Sequence, residues 1–184
     1  VAATLPVLVI SPLDDWMEAH FYNYITVAAM LILYGVLFLV VESRRTAPHV
    51  THLEQITYRD ALIIGVWQML AIIPGTSRSG STILGATLVG TSRPVAAEFS
   101  FFMAIPVMLG ASLLKCVKFV AKGLAFTAME WVILLIGTVV AFAVSLIVIR
   151  FLMNFIRKHS FAPFGWYRIA LGAVVLLCWG FRLI

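Results

Sequence analysis

Long apolar stretches alternate with short polar connections along the chain. Four of the stretches are about 20 residues long, the length at which a helix crosses a hydrocarbon core about 30 Å thick. They lie at about 23–41, 95–114, 129–149 and 163–184. The pattern predicts an all-α integral membrane protein, a polytopic helix bundle in which residues 1–184 form a single transmembrane domain.

Two shorter helical segments lie between the first and the second span. At a rise of 1.5 Å per residue, residues 58–73 make a helix about 24 Å long and residues 81–90 make one of about 15 Å. Neither length comfortably crosses the bilayer. We therefore predict that residues 58–90 form a re-entrant helix–loop–helix, which enters and leaves on the same side of the membrane.

Polar residues and helix breakers mark the ends of these two segments. Thr57 and Asp60 are spaced as an N-terminal cap for the first segment, Pro74 ends it and Gly90 ends the second. Irregular backbone at membrane depth survives only where it is buried in protein or lines a water-filled cavity. The loop at 74–80 is therefore predicted to line a cavity.

Composition agrees with a membrane location. Of the 184 residues, 62% are hydrophobic and only 11% are charged, and the mean hydropathy is +1.06. A water-soluble core does not absorb that much apolar surface. The formal net charge is +5, but the 13 Lys and Arg residues lie mostly at the ends of apolar segments, where they meet anionic lipid. Membrane lipids are thus expected partners, and nucleic acid is not.

The basic residues also predict an orientation. If the re-entrant segment returns to the side that it entered, most of them fall on one side, which is then cytoplasmic. These residues are Arg44, Arg45, Arg93, Arg150, Arg157 and Lys158. Against this assignment, Lys115, Lys118 and Lys122 fall on the opposite side.

The loop between the two short segments carries the strongest chemical signal. Residues 74–82 contain five hydroxyl side chains, two glycines and one arginine. An arginine near the middle of a membrane costs about 2.5–3.5 kcal/mol on insertion scales, so it indicates a functional site by default. Hydroxyls, a planar guanidinium and backbone N–H groups that glycine leaves accessible are together suited to hold phosphate.

Arg78 is the first candidate for a catalytic group, with Ser77 beside it. The guanidinium can bind two phosphate oxygens at once and offset charge that develops on the phosphoryl group. The residues predicted to bind a diphosphate are Gly75, Ser77, Arg78, Ser79, Gly80 and Thr82, with Gln68 ahead of the loop. The alternative is that the hydroxyls only satisfy backbone groups that a helix break sets free.

Glu98 is a weaker candidate for a supporting role. It lies in the first turns of a span, where a carboxylate favours the helix dipole. A structural pair with an arginine is favoured over catalysis at this position. None of the residues in this chain is assigned to a metal.

The loop and its surroundings closely resemble the undecaprenyl-diphosphate phosphatases of the bacitracin-resistance type. The most specific match is the second signature motif of that family, which is Pro74-Gly75-Thr76-Ser77-Arg78-Ser79-Gly80-Ser81-Thr82-Ile83 here. Further matches occur in the family's order along essentially the whole chain. They are Tyr58-Arg59-Asp60-Ala61 before the motif and Ser92-Arg93, Glu98-Phe99-Ser100-Phe101, Ser160-Phe161 and Pro163-Phe164 after it.

The resemblance implies a function, a location and a fold. Members of this family hydrolyse undecaprenyl diphosphate to undecaprenyl phosphate and inorganic phosphate, which recycles the cell-wall lipid carrier and gives bacitracin resistance. The implied substrate is a polyprenyl diphosphate, and the implied location is the bacterial inner membrane. The implied fold is an inverted repeat with two re-entrant hairpins whose tips meet at the active site.

Part of the family pattern is not found in this sequence. Family members carry an N-terminal region with a glutamate-rich segment and a Ser-Gly-His motif. The resemblance therefore implies that the chain is the C-terminal part, the second half of the inverted repeat, and that it begins inside a helix. The nucleophile or general base, and the carboxylates that hold Mg²⁺ or Ca²⁺, are then expected upstream of Val1. The 184 residues alone are expected to release no phosphate.

Another class of membrane protein fits part of the same pattern. Inverted repeats with broken helices that aim a half-helix N-terminus at an anionic group also describe transporters, so a polyprenyl-phosphate transporter or flippase is the alternative. A purely structural subunit leaves Arg78 unexplained. Gly137, Ala141 and Ser145 form a small-residue face that packs helices within a chain or between chains, so a homo-oligomer is also possible.

Overall fold

A computed structural model describes residues 2–10, 13–123 and 126–181. These residues form eight α-helices and no β-strand, with short 3₁₀ turns between some of the helices. The helices are α1 (Leu5–Ile10), α2 (Asp14–Phe21), α3 (Tyr24–Ser43), α4 (Tyr58–Met69), α5 (Arg78–Leu88), α6 (Arg93–Ala121), α7 (Ala128–Lys158) and α8 (Ala162–Gly180).

Four of these helices are long and apolar enough to cross a membrane. They are α3, α6, α7 and α8, and their mean hydropathy runs from 1.4 in α8 to 3.0 in α7. None of the most apolar stretch of α7 is buried inside the protein, as expected for a helix whose surface faces lipid rather than water. The predicted all-α polytopic membrane fold is therefore confirmed.

Helices α3 and α8 form the most closely packed pair, because glycines let their backbones approach. A Cβ atom added to Gly35 would lie 2.7 Å from the carbonyl oxygen of Gly165. A Cβ added to Gly172 would lie 2.7 Å from Cγ1 of Ile32 and 2.9 Å from the carbonyl oxygen of Ala28. Small residues at such contacts allow van der Waals packing where the hydrophobic effect contributes little.

The short helices α4 and α5 form a hairpin, of which α5 packs against α3. Thr57 and Asp60 cap α4 reciprocally, as the sequence predicts. After a 3₁₀ turn at Leu70–Ile72, the chain reverses through Gly75, whose φ of +88° favours glycine. Helix α5 begins at Arg78, three residues earlier than predicted, because Ser77 caps it by accepting a hydrogen bond from the Gly80 N–H.

The open end of the hairpin lies near the end of α3, and its tip lies near the start of α3. The segment before α4 meets the end of α5, where Val50 donates its N–H to the Gly90 carbonyl and accepts from the Ser92 N–H. At the tip, Gly75 packs against Val27 near the start of α3. The chain thus enters and leaves the hairpin at one end of the bundle. Its re-entrant placement in the bilayer stays a prediction.

Cysteine labelling tests that placement. With Cys116 and Cys178 replaced, single cysteines at Thr46, Ser92 and Lys122 are treated with a membrane-impermeant thiol reagent in intact cells and in inverted vesicles. We expect Thr46→Cys and Ser92→Cys to react from the same face. The control is Lys122→Cys, which lies at the other end of α6 from Ser92 and should react from the other face. Labelling of the first two from opposite faces would show that the hairpin crosses the membrane.

Glycine substitutions test the packing of α3 on α8. Gly172→Ala places a methyl group within the contacts given above and should destabilise the protein by about 1–3 kcal/mol, as overpacking does. Gly137→Ala is the matched control, because no described atom beyond the glycine's neighbours and its own helix backbone lies within 4 Å of the added Cβ on α7. Thermal unfolding in detergent measures both variants. Equal melting temperatures for the two would contradict the close packing described here.

Candidate functional site

The site predicted from the sequence is built at the start of α5. Ser77 is the residue before the helix, and its Oγ lies 3.1 Å from the Gly80 nitrogen that donates to it and 3.2 Å from Ser79 Oγ. The positive end of the α5 dipole therefore lies beside the loop. Ser77 is half-buried and Ser79 is exposed.

Arg78 occupies the first position of α5 and is half-buried. None of the described residues forms a hydrogen bond or an ion pair with its guanidinium. A cation that is partly removed from water and has no protein partner is unfavourable by itself. A phosphate group would supply the missing partner, and the planar guanidinium can accept it through two hydrogen bonds.

Two hydroxyls in the next turn of α5 point into the protein instead. Ser81 Oγ donates to the Tyr34 hydroxyl at 3.0 Å. Thr82 Oγ1 lies 2.6 Å from Ser100 Oγ and also reaches the carbonyl oxygens of Arg78 and Ser79. Both side chains are fully buried. In this arrangement Thr82 joins α5 to α6, and its role in substrate binding stays a prediction.

Gln68 in α4 and Thr76 within the loop each hold a buried polar atom. Gln68 lies in α4 and is 3% exposed, and its Nε2 has no hydrogen-bond partner. Thr76 Oγ1 is also buried without one. Leaving a buried donor or acceptor unsatisfied costs about 1–3 kcal/mol, so these atoms are suited to a partner such as a water or a ligand oxygen.

The remaining predicted residues play different parts. Gly75 is required by the tip, where an added Cβ would lie 2.6 Å from Val27 Cα. Gly80 supplies the N–H that Ser77 caps. Glu98 is half-buried on α6, and the arginine near it in sequence, Arg93, pairs with Glu42 rather than with Glu98. No hydrogen bond or ion pair among the described residues joins Glu98 to the loop.

A second arginine, which the sequence analysis missed, lies beside the loop. Arg168 on α8 donates from Nη2 to the Gly75 carbonyl at 2.9 Å. Its guanidinium lies 5.7 Å from the centre of the Tyr34 ring, and its Nε is buried without a hydrogen-bond partner. The signal was available, because a single arginine inside an apolar span indicates a function by default.

The loop 74–80 together with Arg168, named here the arginine loop, is an electropositive site. It combines two guanidinium groups with the N-terminus of α5, and no described acidic side chain contacts either arginine. Preorganised donors of this kind bind an anion and stabilise charge that develops on it. Within the described residues, no group of three His, Cys, Asp or Glu side chains is placed to hold a metal ion.

Comparisons with known proteins point to one family. The family model described as "Bacitracin resistance protein BacA" matches residues 1–174. A protein of Enterococcus faecalis named undecaprenyl-diphosphatase is 54% identical over 184 residues, covering 98% of this chain and 67% of that protein. Proteins of the same name from Acetivibrio thermocellus and Desulfitobacterium hafniense are each 56% identical. They are matched over 96% and 100% of this chain and over 65% and 66% of their own lengths. The chain thus spans about two thirds of these relatives.

Proposed function

Because the chain belongs to the bacitracin resistance protein BacA family, we propose that the whole protein hydrolyses undecaprenyl diphosphate to undecaprenyl phosphate and inorganic phosphate. This reaction recycles the cell-wall lipid carrier and confers bacitracin resistance. The proposal is supported by the name that the relatives share and by one observation above all. Arg78 is a half-buried cation to which no described residue offers a partner, at the N-terminus of α5, inside a multi-pass protein of the bacterial inner membrane.

The arginine loop suggests how the diphosphate is held. The Arg78 guanidinium binds two oxygens of the terminal phosphate, while the Ser77 and Ser79 hydroxyls donate to further oxygens. The isoprenoid tail lies among the apolar helices or in lipid. Arg168 binds the Gly75 carbonyl and so fixes the shape of the loop, which makes it a positioning residue.

Catalysis then rests on positioning and on charge stabilisation. Hydrolysis breaks the phosphoanhydride bond, adds the oxygen of water to the terminal phosphorus and leaves the bridging oxygen on undecaprenyl phosphate. Arg78 stabilises the negative charge on the phosphoryl oxygens as that bond breaks.

The nucleophile or general base is expected upstream of Val1, and Ser77 is the alternative among the described residues. Mg²⁺ or Ca²⁺ is proposed from the resemblance alone. The residues described here offer no cluster of metal ligands, and the resemblance implies that these ligands lie upstream of Val1.

A polyprenyl-phosphate carrier is the alternative to the proposed phosphatase. A carrier needs Arg78 to bind the ground state, whereas a phosphatase needs it most in the transition state. The names of the relatives favour hydrolysis. A homo-oligomer also stays a proposal, for which the exposed face of Gly137, Ala141 and Ser145 on α7 would serve.

Substituting Arg78 by lysine tests the proposed role directly. Arg78→Lys keeps the charge but loses the two-point contact, so phosphate release from C55 diphosphate should fall by about 10²–10³ while lipid affinity changes less. The protein is expressed from its complete gene, and binding and release are measured with Mg²⁺ and with Ca²⁺. Arg150→Lys, at an exposed position of α7, is the matched control. Wild type that binds the lipid and releases no phosphate with either metal would favour the carrier.

Substituting Arg168 tests its role as a positioning residue. Arg168→Gln removes the charge and should displace the loop, and a displacement of about 1 Å can cost about 10²-fold in rate. Arg168→Lys should restore part of kcat, because an ammonium group can still donate to the Gly75 carbonyl. Both variants are compared with Arg150→Gln for kcat, KM and thermal unfolding. A kcat for Arg168→Gln equal to that of wild type would show that the loop does not depend on Arg168.

A further inference from the structure

A cavity of about 490 Å³ opens at one end of the bundle, apart from the arginine loop. It lies where the end of α3, the start of α6 and the end of α7 meet. Its polar lining consists of Glu42, Arg45, Thr46, Ser92, Arg93 and Arg157. Along α3, Glu42 lies two turns, or about 12 Å, beyond Tyr34. Tyr34 is level with the arginine loop, because its hydroxyl accepts from Ser81 and its ring lies beside Arg168.

The charges that line this cavity are unbalanced. Three arginines line it, and among the described lining residues Glu42 alone is acidic. Glu42 is already engaged, because it pairs with Arg93 and accepts a 3.4 Å hydrogen bond from the Phe161 N–H. Arg157 is exposed and has no hydrogen bond or ion pair with another described residue.

Two guanidinium nitrogens in the cavity wall are buried without a hydrogen-bond partner. They are Nη1 of Arg45, 4.0 Å from Glu42 Oε2, and Nε of Arg93. Burial and, after it, the positive charge of Arg93 lower the pKa of Arg45, and the nearby Glu42 offsets this only in part. Arg45 also donates from Nη2 to the Thr91 carbonyl at 2.8 Å, so part of its guanidinium is engaged by the backbone. The two buried donors that remain are suited to a further acceptor.

The start of α6 adds to the same field. Ser92 precedes the helix, and its side chain makes no capping hydrogen bond. The first N–H groups of this 29-residue helix, apart from Pro94, which has none, are therefore not capped by that side chain, and the positive end of its dipole lies at the cavity. An anion placed here would meet guanidinium and backbone donors together.

We propose that this cavity binds a phosphate-bearing anion, supplied either by the headgroup of an anionic phospholipid or by free phosphate. The chemistry of the lining suits a phosphate group, since guanidinium groups match its oxygens. The cavity opens at the end of the bundle that also carries Arg44 and Lys158, the end predicted to be cytoplasmic, where anionic lipids attract basic residues. The site is separate from the reaction proposed above.

The experiment measures two ligands on the protein expressed from its complete gene. Native mass spectrometry in detergent compares retention of phosphatidylglycerol with that of phosphatidylcholine. Calorimetry measures the binding of sodium phosphate. Arg157→Gln should weaken the binding of the anion about fivefold, the effect of about 1 kcal/mol for one basic residue near a membrane surface. Arg150→Gln, two turns away on the same exposed helix, is the matched control and should leave binding unchanged.

A second variant should change anion binding in the opposite direction. Glu42→Gln can keep the hydrogen bond from the Phe161 N–H but removes the negative charge, so it should strengthen binding, which a folding defect would not do. Phosphatidylglycerol that is retained and not displaced by phosphate identifies a lipid site; competition by millimolar phosphate identifies free phosphate. Equal effects of Arg157→Gln and Arg150→Gln, or no binding of either anion to the wild type, would overturn the proposal.

Discussion

A helix that breaks inside an apolar bundle must find partners for the polar groups that the break exposes. Here the close pair of α3 and α8 supplies them. Arg168 donates to the Gly75 carbonyl at the tip, and the Tyr34 hydroxyl accepts from Ser81 in the first turns of α5. Glycine contacts between α3 and α8 bring the two side chains to the same depth. The shape of the loop therefore depends on helices that are distant from it in sequence.

The same arrangement leaves a positive charge unbalanced. The partners supplied by α3 and α8 satisfy the Gly75 carbonyl and the Ser81 hydroxyl, but Arg78 receives none from the described residues. A half-buried cation of this kind is tolerated when a ligand completes it. The loop is thus organised before the anion arrives, and in such a site the donors need little rearrangement when charge develops. The proposed function therefore depends on the Arg78 guanidinium, which no described residue partners.

The sequence predicted the features that depend on local rules. The four apolar spans, the Thr57 cap and the polar loop follow from residue type and spacing within a few turns. The start of α5 was placed too late, because Ser77 was interpreted as a ligand and not also as a cap. The inward direction of Thr82 and the approach of Arg168 follow from contacts between helices, 18 residues apart for Thr82 and Ser100 and 93 apart for Gly75 and Arg168. No local pattern specifies such contacts.

The central claim is that Arg78 binds the terminal phosphate of the lipid diphosphate. Solid-state NMR on the reconstituted protein can measure the dipolar coupling between guanidinium ¹⁵N and substrate ³¹P, with a diphosphate analogue that resists hydrolysis. The Arg78 signal is identified by its loss in Arg78→Lys. The account predicts a strong coupling from Arg78 to the terminal phosphorus, consistent with N–H···O contacts of about 2.7–2.9 Å. A bound analogue whose phosphorus shows no coupling to Arg78 would contradict it.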